Sequence, residues 1–93
     1  MGTPVAFQWD ETKAAANEAK HGVPFDIAVA VFLDPRRLDD VDDRNDYGEE
    51  RRNVIGVVDG VCLALTYTMR GRVCRIISAR RAHRKERTRY EKA

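Results

Sequence analysis

Long apolar runs are missing from this chain. It has no stretch of about 18 apolar residues, which excludes a membrane-spanning helix. The opening MGTPVAFQWDE lacks the basic start and apolar centre of a secretory signal. Met1-Gly2 fits the start of a myristoylation motif, but Val5 and Ala6 stand where that motif calls for Ser or Thr. The expected location is therefore the cytoplasm. Cysteine is scarce as well. Cys62 and Cys74 lie in apolar, strand-like runs and read as buried thiols. Two isolated cysteines with the distant His21 and His83 do not make a zinc motif, so neither metal nor cofactor is expected. No internal repeat is present. A flexible joint is absent too: in IISARRAHRKERTRYEKA, Ile76 to Ala93, an apolar strand runs straight into the most basic segment. A disordered basic tail would be joined through a linker, so here the charge is held to the body of the fold.

What is present divides by charge. The 93 residues suit a single domain with a small core. Charged residues make up 34% of them, yet the net charge is only +2. Residues 1–69 carry 7 basic and 13 acidic side chains, whereas residues 70–93 carry 10 basic and 2 acidic. That division points to an anionic partner at one end of the molecule. The plainer alternative is a solvated helix that balances an acidic loop of the same chain.

Periodicity gives the elements. Val5 to Trp9 reads as a short strand. Asp10 suits a helix N-cap, DETKAAANEAKHG is rich in helix formers, and Gly22 is placed to end the helix. Lys20 and His21 stand favourably near its negative end. Pro24 opens a second helix over PFDIAVAVFLD, with Phe25, Ala28, Val29 and Phe32 at helical spacing and Pro35 beyond its stop. RRLDDVDDRNDYGEE is acidic and weakly patterned; it holds an edge strand near Leu38 to Val41 or is a loop. RRNVIGVV, VCLALTYTM and RVCRIISA are three strands, and AHRKERTRYEK has helical spacing. Asp59-Gly60 is a strong type I′ hairpin signal, Arg70-Gly71 a weaker one. Two-residue turns set Val54 opposite Leu65 and Leu65 opposite Ile76. One face then carries Val54, Val58, Val61, Leu63, Leu65, Met69 and Ile76, and should take the two early helices. The other carries Arg51, Asn53, Thr66, Thr68 and Arg75 beside Ile55, Ala64 and Ile77.

Several segments and their order resemble one family. FQWDETKAAANEAKHGVPFDIAVAVFLDP, GEERRNVIG and TYTMRGRVCRIISARRAHRKERTRYE are similar to BrnT-type toxins along nearly the whole chain. The resemblance implies an α+β, RelE-like fold: an antiparallel sheet of about four strands, two N-terminal helices on one face and a short basic C-terminal helix. It implies a ribonuclease toxin of a type II toxin–antitoxin pair. It also implies a cognate antitoxin with a ribbon-helix-helix DNA-binding segment. Operator DNA would be reached only through that antitoxin, in a hetero-oligomer.

A metal-independent endoribonuclease uses the RNA's own 2′-hydroxyl as nucleophile. Fixed guanidiniums stabilise the charge gained by the phosphate, while a base and an acid move protons. The family's signatures include arginines matching Arg70 and Arg80, so the resemblance carries the catalytic role to those two first. Arg75 reads equally as an RNA contact and as an ion pair with the acidic segment. Arg81 adjoins Arg80 where the strand gives way to the helix. Arg51 lies on the polar face, and Arg84 on the basic helix; all three are candidate RNA contacts. Arg87 and Arg89 read as a solvated helix face or further phosphate contacts. Obvious bases are few. Glu50 is a candidate, though a salt bridge to Arg51 or Arg52 is its simpler reading. His83 has the right intrinsic pKa range, though a surface histidine is its simpler reading. His21 suits a helix-end role. In the expected register Arg70 and Arg80 lie about 30 Å apart, at about 3.3 Å per residue. A longer hairpin, a bulge or a remote role for one arginine would resolve that. The competing class is a non-enzymatic module whose basic helix contacts nucleic-acid backbone or docks an acidic partner.

Overall fold

Asp10 and Gly22 bound the first helix as their chemistry requires. In the computed structural model, which describes residue 4, residues 6–42 and residues 48–93, α1 spans Glu11–His21. Asp10 accepts the backbone N–H of Lys13 at 3.0 Å. Gly22 adopts φ +71° and donates its N–H to the Glu18 carbonyl at 2.7 Å. The first strand, β1, is Ala6–Gln8. Val5, expected in that strand, and residues 43–47 of the acidic segment lie outside the described residues.

The second helix is shorter than its pattern predicts. Phe25–Ala28 forms α2, and Val29–Leu33 tightens into a 3-10 turn. The β-branched Val29 and Val31 weaken an α-helix there. The turn also brings Val31 against β3, where a Cβ on Gly56 would stand 3.2 Å from both Val31 Cβ and its carbonyl oxygen. Glycine at that position lets the two backbones meet.

Four further strands follow: β2 Leu38–Asp42, β3 Arg51–Val58, β4 Val61–Arg70 and β5 Val73–Arg81. The edge strand near Leu38 therefore forms, and the loop alternative for that stretch does not hold. Among the described residues the sheet has five strands in the order β1-β5-β4-β3-β2. The expected α+β class is found, but the sheet is mixed rather than wholly antiparallel. The difference is β1, which pairs in parallel with β5 through Ala6↔Val73, Phe7↔Cys74 and Gln8↔Arg75. A three-residue strand ahead of a helix carries no sequence mark of its direction.

The first hairpin forms as expected, with Asp59 at φ 48° and Gly60 at φ 80°. The second differs by one residue. Arg70 pairs with Val73, so the turn is Gly71-Arg72, with Gly71 at φ 61°. Glycine thereby takes the left-handed position that arginine resists. Ile76 then pairs with Tyr67 instead of Leu65, a two-residue shift that leaves the apolar face intact. A bulge follows: Tyr67 pairs with Ile76 but Thr66 with Ser78, so Ile77 is the extra residue.

The expected core face packs the early helices. Val23, Phe25, Ala28, Val31 and Phe32 bury against Val54, Leu63, Leu65, Tyr67, Cys74, Ile76 and Ala79. Burial pushes the Cys74 thiol up to about 12. Val61 keeps the expected face by register but is 36% exposed near the hairpin end. The helix α3, Arg84–Lys92, crosses the opposite face and closes a second, smaller cluster of Ile55, Ala64 and Ala82 with Leu38, Cys62 and Tyr90.

Candidate active site on the open face of the sheet

The bulge decides which way the arginines point. In unbroken alternation Arg80 would share the face of Ile76 and lie toward the helices. The extra residue at Ile77 reverses the alternation, so Ala79 is fully buried in the core and Arg80 turns to the other face. Arg80 thereby joins Arg75, which pairs with Thr68, and Ser78, which pairs with Thr66. On β3, Asn53 pairs with Thr66 and Ile55 with Ala64, while Arg51 pairs with Asp42 on the β2 side. The open face thus carries Arg51, Asn53, Thr66, Thr68, Arg75, Ser78 and Arg80, and α3 covers its apolar end.

Asn17 of α1 holds the bulge. Its side-chain amide donates to the Ala79 carbonyl at 2.8 Å and accepts the Ala79 N–H at 3.1 Å. β1 reaches only as far as Arg75 along β5. Asn17 therefore supplies at Ala79 the two bonds that a neighbouring strand would make. Few apolar contacts hold α1, which has no buried residue.

The floor of the face is hydrogen-bonded. Thr66 Oγ1 donates to Asn53 Oδ1 at 2.6 Å, and Thr68 Oγ1 to the Glu50 carbonyl at 2.7 Å. Arg80 makes a two-pronged contact with Glu86: Nη1–Oε1 at 2.7 Å and Nη2–Oε2 at 3.0 Å. Glu86 Oε1 also accepts the His83 N–H at 2.7 Å, at the start of α3. The Arg80 guanidinium holds the Glu86 carboxyl below its usual range; burial opposes this and the His83 N–H adds to it.

α3 is tied down through Asp34. That carboxylate accepts from Tyr90 Oη, from Val57 N–H at 2.8 Å and from Arg36 N–H at 2.9 Å. Burial pushes Asp34 up, but the three hydrogen bonds outweigh it and hold the carboxyl below its usual range. Arg36 stacks over the Tyr90 ring at 5.6 Å, Arg87 donates to the Ala82 carbonyl at 2.8 Å, and Arg89 pairs with Asp40.

The remaining sequence candidates spread around this face. Arg70 is exposed and lies 3.8 Å from Glu49. Arg80 pairs with Ala64, six residues from Arg70 along β4, so about 20 Å separates the two. That is shorter than the expected 30 Å but too far for one shared phosphate. Glu50 is exposed and pairs with Arg52 at 3.4 Å, the simpler of its two readings. Arg52 lies on the helix-covered side, where Asp39 binds it at 2.9 Å and also accepts a hydrogen bond from the Tyr67 hydroxyl. His83 is the residue flanking α3, beside the Arg80–Glu86 pair. Arg81 is exposed but alternates away from Arg75 and Arg80, and Arg84 is exposed at the start of α3. Asn17, Ser78 and Glu86 are not singled out by the sequence. The one available signal for Glu86 is its place three residues after the helix-flanking residue, the spacing of a capping box.

A family model described as ribonuclease toxin, BrnT, of type II toxin-antitoxin system matches residues 9–86. The chain belongs to the BrnT toxin family. All three arginines of the bulged strand, Arg75, Arg80 and Arg81, fall within the matched span. No curated protein matches the chain. BrnT membership means a ribonuclease toxin family and, with a type II system, a cognate antitoxin.

Proposed function

We propose that this BrnT chain cleaves RNA without a metal, on the open sheet face that carries Arg51, Arg75 and Arg80. The carrying observation is the bulge at Ile77, which turns Arg80 to the same side as Arg75. The RNA 2′-hydroxyl attacks the adjacent phosphorus, the bond to the leaving 5′-oxygen breaks, and a 2′,3′-cyclic phosphate results. Charge grows on the non-bridging oxygens as the phosphorus becomes five-coordinate. Arginines stay protonated and offer a rigid fork of donors, so held on strands they favour that state over the ground state. Thr66, Thr68 and Asn53 supply a polar floor. Of the two candidates for proton transfer, His83 stands beside Arg80, whereas Glu50 meets Thr68 only through its backbone carbonyl and turns its carboxylate to Arg52. Arg70, about 20 Å from Arg80 by strand rise, and Arg81 and Arg84 hold flanking phosphates. A RelE-like fold, which the resemblance implies, would leave one sheet face uncovered for this use.

The partner is an antitoxin with a ribbon-helix-helix segment that binds the operator. Its acidic and apolar side chains cover the basic face, in a toxin–antitoxin hetero-oligomer. Labelled RNA tests the reading. Cleavage persists with chelator and leaves cyclic phosphate ends, and an all-DNA oligonucleotide stays intact. Arg75→Ala and Arg80→Ala, each folded, lose about 10²-fold in cleavage rate, and Arg70→Ala loses less. Undiminished cleavage by both of the first two variants rules the assignment out. The competing reading is a module that binds nucleic acid without cutting it. The engagement of Arg80 by Glu86 favours it, and RNA that shifts in mobility but stays whole would establish it.

A further inference from the structure

We propose that Glu86 is a built-in competitor for the substrate phosphate, occupying the fork of Arg80 until RNA displaces it. The proposal rests on the ribonuclease reading above. A carboxylate and a phosphodiester both present two oxygens to a guanidinium, and Arg binds either in the same paired geometry. Glu86 fills that geometry on Arg80 with contacts of 2.7 Å and 3.0 Å. The pair stands at the rim of the open face. Arg80 is 31% and Glu86 27% exposed in their side chains, so the contact is neither sealed in the core nor fully screened by water. Two residues before Arg80, Ser78 begins the uncovered polar rows. A phosphate lying along Ser78 and Arg75 would meet Arg80 next.

Glu86 is also one of two acidic residues among residues 70–93, the other being Glu91. In so basic a segment, its negative charge falls on the one arginine that the bulge turns onto the open face beside α3. The same carboxylate caps α3 by accepting the His83 N–H. Displacement by RNA therefore need not free the whole side chain. One oxygen can stay on the His83 N–H while the guanidinium turns to phosphate. The competitor is thus tethered, which keeps its effective concentration at Arg80 high and makes weakly held RNA leave.

Glu86→Gln removes the negative charge and keeps an oxygen for the His83 N–H. An RNA oligonucleotide 2′-O-methylated throughout, which cannot be cut by this route, serves as the probe. E86Q is expected to bind it about 3- to 10-fold more tightly than the wild-type chain. The slope of log affinity against log salt stays close to that of the wild-type chain, because Arg80 meets the same phosphate in both proteins. In an Arg80→Ala background the same substitution leaves the affinity unchanged. A merely structural role for Glu86 would shift thermal stability without tightening RNA binding. Wild-type protein supplies a second measurement that needs no variant: on RNA binding, the Glu86 carboxyl carbon resonance moves toward that of an unpaired carboxylate. Unchanged or weaker binding by folded E86Q, or an unmoved resonance, overturns the proposal and leaves the ribonuclease reading standing. A wild-type chain that neither binds nor cuts RNA removes both.

Discussion

A single amide carries much of the positional information at the candidate site. Asn17 reaches from α1 to both backbone groups of Ala79, next to the residue whose side chain must face the open side. Removing it leaves a buried N–H and C=O at the bulge without those partners. Asn17→Ala is expected to cost about 1–3 kcal/mol of stability, the range for stranded buried polar groups. Urea denaturation with an unchanged m-value measures it. Cleavage should fall more than the unfolded fraction explains, because the Arg80 end of β5 loses its clamp. A stability loss with full activity of the folded fraction would show that the bulge holds without Asn17. Nothing in NEAK marks this asparagine as different from any polar residue on an exposed helix face. Its partner lies 62 positions away.

Among the elements, α3 depends on carboxylates being ionised. Asp34 accepts from Tyr90, and Glu86 accepts from Arg80 and His83, and both carboxyls are held below their usual range. Their folded pKa values lie below the unfolded ones, so the unfolded chain takes up protons first as pH falls. The stability they contribute is present above the unfolded carboxylate pKa and is lost as pH drops through the folded values. Between neutral pH and pH 5 the docking of α3 should hardly change. Below about pH 4, in the range where unfolded carboxylates titrate, it should weaken progressively. Amide exchange of residues 84–92, compared with that of β4, measures this. Tyr90→Phe removes the hydroxyl held by Asp34 and should flatten the acid dependence while speeding exchange in α3 at neutral pH. Equal acid sensitivity in the variant would remove Asp34 as the cause.

Across the whole molecule the basic charge gathers on β5 and α3, while the acidic edge strand β2 sets Asp40 and Asp42 opposite Asn53 and Arg51 at the far edge of the same face. The helices α1 and α2 cover the other face of the sheet. A basic side to a small body steers an anion toward it. Affinity for single-stranded RNA should fall with salt, each phosphate contact adding about 0.7 to the slope. Arg84→Ala should reduce the slope by about that amount and weaken all sequences alike, since a phosphate contact reads no base. A slope unaffected by Arg84→Ala would place that residue outside the RNA path. The acidic edge strand β2 is partly neutralised within the fold, by Arg52 on Asp39 and Arg89 on Asp40. The plainer view of the charges, a basic helix balancing an acidic segment, is therefore true of Arg89 but leaves most of the basic residues unaccounted for.

The elements, the apolar face and the charged end could be read from residue order, because each rests on local chemistry. Caps and turn glycines act within four residues, and alternation sorts a strand's side chains wherever it pairs. Tertiary structure decided what depends on distant neighbours. The direction of β1 required the whole sheet and the split of the second helix its contact at Gly56, whereas the shift to Gly71-Arg72 follows from glycine's own preference for positive φ. The face taken by Arg80 required a bulge whose backbone is held by a helix 62 residues away. A period of two makes every side chain after one extra residue change sides. The most consequential feature of the candidate site was therefore the one that periodicity alone could not supply.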